Sequence, residues 1–336
     1  MRRIRLSLSL VAVISVLLRS LPAGQAAKPI PWPEPYELER MIGNKVETSV
    51  RVAAWKAPEP QRTNLLIYSV LPPQMDEALM RRVAERFGIK GEIEQIRGDT
   101  LGHLGFWIKE TNPTNSAKSR EVKFWLTIGS FSFSSGDDGY LWDIKQHQPL
   151  MHGVPNKEEG KQKALELLPL LGLSTNDLEH YSNGRLRWAS GASEIGYTDR
   201  VDKQRKKAVM ARNVSFYQRV PGGGVTAGVG DGGELRFSFV REGKVSRIEW
   251  FFRKMEKAGE AQPKTSKDIM RDLRNRNAWT WHQGVPTSLT VTNCVLAYPQ
   301  GNSWLNQDYV WPFYMVTGTN IEGHTTTFYV PLEWDN

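Results

Sequence analysis

The chain repeats one pattern twice: an amphipathic helix that ends at a glycine, followed by short segments in which apolar and polar residues alternate. The first predicted helix carries an apolar residue at every fourth position from Met75 to Phe87, which is the spacing of one helical face. It ends at Gly88, and the second ends at Gly172, 84 residues further on. A glycine closes a helix by adopting the left-handed conformation. The pattern therefore predicts a duplicated α+β unit.

Alternating, aromatic-rich segments follow each predicted helix. Pro169 lies in the second helix, and because proline has no amide hydrogen it is expected to distort the last turn. The clearest strands form a hairpin in which Leu235, Phe237 and Phe239 share one face. Gly243 supplies the positive φ of the turn. One face of such a sheet is expected to cover the helix and the other to contact solvent.

Two segments look like connections between folded parts. Residues 28–35 alternate proline with other residues, and the fixed φ of proline favours an extended tether. Residues 256–267 are charged and poor in apolar side chains, as linkers are. The predicted fold is α+β: tandem units of one helix packed on a twisted antiparallel sheet, with a smaller C-terminal α+β unit. The predicted regions are a signal peptide (1–27), a Pro-rich tether and lead-in (28–60), a first unit (61–150), a second unit (151–255), a linker (256–267) and a Trp-rich C-terminal unit (268–336).

The N-terminal segment has the three parts of a secretory signal peptide. Arg2, Arg3 and Arg5 precede an apolar run of 13 residues, and small residues follow it. Such a run spans about 20 Å as a helix, less than the roughly 30 Å hydrocarbon core of a bilayer. We therefore expect cleavage near Ala26 and a secreted or periplasmic protein with no permanent membrane span. A retained signal anchor is the alternative.

Charge is unevenly distributed along the chain. The formal net charge is +8, and four of the arginines lie in the predicted signal peptide. Residues 185–276 carry 21 Lys and Arg against 11 Asp and Glu, whereas residues 277–336 contain no Lys or Arg. This asymmetry indicates either a basic face for an anionic partner, such as wall polymer, lipid headgroups or an acidic protein, or a solvated surface that attracts a neighbouring module. Because export is predicted, no nucleic-acid partner is expected.

Several motifs of the second predicted unit occur in a familiar order. A helix closing on Leu171-Gly172-Leu173 is followed by an aromatic-Gln strand at 215–220, then by Gly224-Val225, then by a hairpin containing Gly243-Lys244-Val245. Residues 158–252 resemble PepSY-like domains, which include the propeptides of thermolysin-type peptidases and extracytoplasmic regulators of sensor kinases.

The resemblance implies a PepSY or cystatin-like fold, in which the sheet wraps around one helix. It also implies a non-enzymatic protein that inhibits or regulates a partner in the cell envelope. A fainter echo of the same motifs occurs at 75–133. The glycine-rich stretch at 221–233 is longer than the family pattern, and no binding residue of the family transfers to this chain.

No motif for catalysis, cofactor binding or metal binding stands out. Residues 228–233 fit G-x-G-x-x-G, but a dinucleotide site needs a following helix, and the residues from Glu234 onward alternate as a strand does. The six histidines lack metal-ligand spacing, and Asp137-Asp138-Gly139 fits a hairpin turn better than a calcium loop. The single cysteine, Cys294, fits a buried thiol. We therefore expect no cofactor, no metal and no enzymatic activity.

Tryptophan supplies the candidate binding residues. The chain has 12 tryptophans, and rigid aromatic faces stack on sugars or peptides, although most tryptophans in globular proteins pack in cores. Trp279 and Trp281 are expected on the same side of an extended segment. Trp304 and Trp311 lie in the same tail without Lys or Arg. These four indoles form the predicted partner or ligand surface.

Together these observations predict an exported, non-enzymatic binding or regulatory protein. It would present a sheet face or edge to an envelope protein or peptide. A cell-wall or glycan-binding module, using the tryptophans and the basic region, is one alternative. An envelope hydrolase, with acids such as Glu92, Glu94 and Asp99 meeting only in the folded chain, is another.

Overall fold

The computed structural model describes eleven stretches of the chain. They are residues 30–72, 76–98, 103–111, 119–126, 128–136, 142–143, 148–149, 153–199, 202–227, 232–301 and 307–333. The predicted signal peptide and cleavage site, the Asp137-Asp138-Gly139 turn, Asp99 and Trp304 lie outside these stretches.

Four α-helices and twenty strands occur in the described residues. The helices are α1 (Pro35–Ile42), α2 (Glu77–Arg86), α3 (Lys157–Leu167) and α4 (Ser266–Arg274). The strands are β1 (Asn44–Lys45), β2 (Arg51–Trp55), β3 (Leu66–Val70), β4 (Glu94–Arg97), β5 (Leu104–Glu110), β6 (Arg120–Trp125), β7 (Ser130–Ser134), β8 (Trp142–Asp143), β9 (Gln148–Pro149), β10 (Trp188–Thr198), β11 (Arg205–Tyr217), β12 (Val225–Ala227), β13 (Glu234–Phe239), β14 (Val245–Trp250), β15 (Met255–Glu260), β16 (Trp279–Thr280), β17 (Ser288–Pro299), β18 (Tyr309–Val310), β19 (Phe313–Thr319) and β20 (Thr325–Pro331).

The predicted fold class is wrong: the chain is not a series of helix-on-sheet tandem units with a smaller C-terminal α+β unit. It is mostly β, with 44% strand and 18% helix. β7 pairs with β14, which merges strands of both predicted units into one eight-stranded sheet. The C-terminal strands pair with β1, β2 and β12, which come from elsewhere in the chain. These pairings satisfy backbone groups that separate units would leave open at their sheet edges.

The eight-stranded sheet is antiparallel, in the order β10-β11-β13-β14-β7-β6-β5-β4. The predicted hairpin is confirmed as β13 and β14, with Phe237 opposite Ile248 and Gly243 at φ 64° in the turn. Alternate residues of β13 point into one core that α2 and α3 cover. Its members include Leu79, Val83, Phe131, Phe133, Ala164, Leu168, Phe216, Phe237 and Phe239.

Both helices that cover this sheet end as their sequences predict. Gly88 has φ 64° after α2, and Gly172 has φ 72° after α3, so each closes its helix in the left-handed conformation. Pro169 lies in a 3-10 turn, Leu168–Leu171, that continues α3, and this is the predicted distortion. Local capping therefore follows the sequence, even though the strand pairing beyond it does not.

The second large sheet has seven strands. Its order is β1-β16-β20-β19-β17-β12, and β2 also pairs with β17. β2 and β12 run parallel to β17, whereas the other pairs are antiparallel. Helix α4 packs against β2 and β20, and Thr265 caps it by accepting a hydrogen bond from the Asp268 N–H. The N-terminal lead-in and the C-terminal tail thus fold together.

A small three-stranded sheet uses the segment predicted as a linker. β15 pairs with β3, and β3 pairs with β18. Most of the 256–267 segment is therefore paired in β15 or lies at the start of α4. None of the described helices has the length and apolar content needed to cross a bilayer.

Candidate functional site

One edge of the eight-stranded sheet is long and open. β10 has eleven residues and pairs with β11 along its whole length. Its other side pairs with no strand in the described part of the chain, although β9 lies near it. A strand edge presents a row of unpaired N–H and C=O groups, which is a template for another chain. We therefore treat the β10 edge as the candidate site.

The side chains of β10 leave this edge accessible. Its sequence is Trp-Ala-Ser-Gly-Ala-Ser-Glu-Ile-Gly-Tyr-Thr, which contains none of the Lys or Pro residues that commonly block sheet edges. A Cβ built on Gly191 would meet no atom within 4 Å. The register shifts between Ser193 and Glu194, but the extra residue, Met210, lies on β11. The outer backbone of β10 is therefore not interrupted by the bulge.

The outer half of the β10–β11 hairpin is a two-stranded ribbon. β13 pairs only with residues 212–217 of β11, so the rest of β11 pairs with β10 alone. At the turn, the Lys206 Nζ lies 2.7 Å from carboxylate oxygens of both Asp199 and Asp202. Hydrogen bonds to these carboxylates raise the pKa of Lys206, and the Lys206 ammonium lowers the pKa of Asp202. The ribbon is thus closed by charge-assisted bonds at its tip.

The base of β10 is anchored by a buried ion pair. Glu179 is 3% exposed, and its two carboxylate oxygens accept from Arg187 Nη1 at 2.7 and 2.8 Å. The Thr226 N–H donates to Glu179 at 2.8 Å, and Arg187 Nη1 donates to the Thr226 carbonyl. Burial raises the pKa of Glu179, and the charge of Arg187 opposes that shift. The residue before β10 is therefore tied to β12 of the other large sheet.

A cationic pair covers the first residue of β10. The Lys157 and Lys161 Nζ atoms of α3 lie 5.0 and 4.8 Å from the centroid of the Trp188 ring, which is cation–π geometry. The Arg187 guanidinium lies 4.2 Å from the ring centroid of Tyr217, which is on the neighbouring strand β11. Stacked cations therefore frame the start of the open edge.

The opposite edge of the same sheet is short. β4 has four residues, with Glu94 and Arg97 at its ends. The Trp107 indole N–H donates to Glu94 at 3.1 Å, across the β4–β5 pair. Short, charged edge strands give an incoming chain little to pair with. The two edges therefore differ in length and in charge.

The structure does not assemble the predicted tryptophan surface. Trp279 is 7% exposed and Trp311 is 3% exposed, so both are buried. Trp281 is 41% exposed. β16 ends at Thr280, so Trp279 and Trp281 do not share the face of one strand. Trp304 lies outside the described residues, and of the other three only Trp281 is accessible.

The other described residues singled out in the sequence have separate surroundings. Burial raises the pKa of the Cys294 thiol to about 12, which confirms the predicted buried thiol and keeps it protonated. Glu94 is bonded to Trp107, and Glu92 lies 4.0 Å from Arg81. Among the residues that can be described, no group of three or more His, Cys, Asp or Glu is placed to hold a metal ion.

The described ends of the glycine-rich stretch pack against the seven-stranded and three-stranded sheets. The Gly222 N–H donates to the Tyr68 hydroxyl at 2.9 Å, and a Cβ on Gly232 would overlap the Gly301 carbonyl oxygen. β13 begins at Glu234, so a strand follows the glycines, as predicted. The close backbone contacts give these two glycines a packing role.

Sequence reasoning missed all of β10 beyond its first residue, Trp188. Its alanines, serines and glycines carry little β propensity, and only Ile195 and Tyr197 alternate near its end. The signal that could have found it is the basic, alternating partner strand β11, whose buried residues include Val214 and Phe216. A strand of this composition forms because its neighbour pairs with it.

Comparison with known proteins adds little. No family model and no curated protein matches the chain. A solved structure of an uncharacterised protein from Eubacterium rectale ATCC 33656 aligns with 85% of this chain and 88% of its own, at 10% identity and a TM-score of 0.38. A likeness at that TM-score supports no argument about fold or function.

Proposed function

We propose that this protein is a non-enzymatic binding protein that captures an extended segment of a protein partner on β10. The observation that carries the proposal is the eleven-residue edge strand whose outer side no described strand pairs with. An extended peptide adds to such an edge through main-chain hydrogen bonds. The regulatory role in the cell envelope, which the PepSY-like resemblance and the predicted signal peptide imply, is part of the proposal.

The surroundings of β10 suit this role. The Glu179–Arg187 ion pair and the Trp188 stack hold the start of the strand. About half of the residues of an edge strand direct their N–H and C=O groups outward. A rigid, already extended template lowers the ordering cost that binding imposes, since only the incoming segment must be fixed.

The proposal is tested with a neutral nonapeptide of alternating threonine and valine. Binding is followed by deuterium uptake of the purified chain, resolved by mass spectrometry. We expect the peptide to slow exchange in residues 188–198 and to leave residues 94–97 unchanged, because β4 offers too short an edge.

The matched control is the same peptide with every backbone nitrogen methylated, which removes its N–H donors. We expect it to leave exchange of β10 unchanged, because strand addition depends on the backbone. Equal slowing by both peptides, or no slowing at saturating peptide, would overturn the proposed function.

A further inference from the structure

We infer that the segment captured on β10 is acidic, with its carboxylates on alternate residues. This inference rests on the proposed function. The side chains that carry it lie on one face of the edge strand, and we call Lys157, Lys161, Arg205 and Arg212 the cationic face.

These four cations lie on the same side of β10. Paired residues of neighbouring strands point to the same face of a sheet, and Arg212 and Arg205 pair with Ala192 and Thr198. Ala192 and Thr198 are in the same two-residue period as Trp188, over which both lysines lie. The cationic face therefore runs from one end of the open strand to the other, and Glu194, which is in the same two-residue period, lies on it and is paired with Lys207.

Both arginines reach across to the edge strand. Arg212 Nη1 donates to the Gly191 carbonyl at 3.5 Å. A Cβ on Gly196 would have the Arg205 Nε as its nearest atom, at 3.8 Å. Both guanidinium groups therefore lie over β10 itself, next to the place where an added strand would run.

The acidic side chains of the hairpin are already engaged. Glu194 forms an ion pair with Lys207 at 3.2 Å, and Asp199 and Asp202 both bind Lys206. Residues 185–212 hold eight Lys and Arg but only these three acids, a net charge of +5.

The cationic face has positive charge left over. Among the residues that the structure describes, Lys157, Arg205 and Arg212 have no ion pair with a carboxylate, and Lys161 has a distant one with Glu158 at 3.9 Å. A binding segment that supplies carboxylates would neutralise this excess, whereas a basic one would be repelled.

The same charge argues against a second copy of this chain as the occupant. Edge-to-edge pairing of two β10 strands would bring two cationic faces together, and like charges at an interface disfavour association. An acidic segment of a different protein is therefore the occupant that the structure favours.

The test compares two nonapeptides, one alternating glutamate with valine and one alternating lysine with valine. Alternation places all charges of an extended peptide on one face. Affinity for the purified chain is measured by fluorescence anisotropy, and the site by deuterium exchange of residues 188–198. We expect the acidic peptide to bind at least about tenfold more tightly at low salt, and the preference to fall at about 500 mM NaCl, where exposed charges are screened.

Charge-reversal variants give the matched controls. Lys157→Glu combined with Arg205→Glu should abolish or invert the preference. Lys267→Glu, an equally exposed cation on α4, should leave it unchanged, because α4 packs on the other large sheet. Circular dichroism confirms that each variant is folded.

The outcomes separate this inference from the proposed function. Equal affinity for both peptides, or a preference that survives the double reversal, overturns the acidic partner but leaves strand capture intact. Binding of a fully N-methylated acidic peptide as tightly as the ordinary one shows attraction without strand addition and overturns both. Light scattering that shows a dimer, together with protection of β10 in the absence of peptide, assigns the edge to a second copy and also overturns the inference.

Discussion

The two edge strands of the eight-stranded sheet both present unpaired backbone N–H and C=O groups, but they differ in length and composition. β4 is four residues long and has charged residues at both ends. β10 is eleven residues long, has two alanines and a glycine in its first half, and contains no lysine or proline. Both strands are extended by the same kind of antiparallel pairing. The difference shows that a long edge strand is not forced by the fold, because the same sheet has a short, charged strand at its other edge.

The edges also differ in how they are attached to the rest of the molecule. β10 starts next to a buried ion pair that joins it to the seven-stranded sheet through Thr226. At the end of β4, the Gly98 N–H donates at 2.7 Å to the carbonyl of His103, the residue before β5 of the same sheet. A binding edge must be rigid as well as open, since flexibility would add to the entropic cost of binding.

The largest difference is expected between Glu179→Ala and Glu94→Ala. The first leaves Arg187 and the Thr226 N–H without their buried partner, which is expected to lower the free energy of unfolding by about 3 kcal/mol. The second removes an exposed bond to Trp107 and is expected to change it by less than about 0.5 kcal/mol. Urea unfolding followed by circular dichroism measures both. Equal losses would show that the two edges are anchored alike.

A smaller effect is expected from a pair of prolines in β10. Successive N–H groups of a strand point to opposite sides, so one of Gly191→Pro and Ala192→Pro removes an outward N–H and the other removes a bond to β11. The inward change should cost about 1–2 kcal/mol of stability, whereas the outward change should cost much less.

Peptide binding by the two proline variants shows whether capture depends on the outward N–H groups of β10. The outward variant should keep its stability and lose capture of the extended peptide, because a donor on the binding side is missing. Gln95→Lys on β4 is the control at the other edge, where residue 95 is exposed. Unchanged peptide binding by a stable outward variant would mean that β10 is not the docking edge.

The smallest expected effect is a titration at the hairpin tip. The Lys206 ammonium holds the pKa of Asp202 below its ordinary value of 3.8. The stabilising contribution of this pair is therefore present above the ordinary pKa and is lost as the pH falls through the lowered one. Carboxyl chemical shifts of Asp202 measure the midpoint. Lys206→Met should return the midpoint toward 3.8, and a midpoint that does not move would show that the tip is not closed by this bond.

The sequence predicts the local features of the structure correctly but does not predict which distant strands pair. Gly88, Gly172 and Gly243 have the positive φ that their positions after helices and in a turn predict. The pairing of β7 with β14 joins residues more than a hundred positions apart, and no local pattern contains that information. The fold class was therefore wrong, although the helix ends and the β13–β14 hairpin were right.

The candidate site was hidden from the sequence for a related reason. β10 is extended because β11 pairs with it, and its own small residues have weak strand preference. The tryptophans gave the opposite error, because they were expected at a binding surface. Trp279 and Trp311 are two of the four candidate binding residues, but both are buried in the folded chain. The asymmetry of charge was visible in the sequence, yet only the strand register shows that four cations share one face of β10.

Residue-resolved amide exchange of the free chain, measured by NMR, shows whether the outer side of β10 is open. If the outer side of this strand is open, amides along residues 188–198 should alternate between slow exchange, where the N–H donates to β11, and fast exchange, where it points outward. Uniformly slow exchange along the strand would show that another part of the molecule already covers this edge, and would contradict the account.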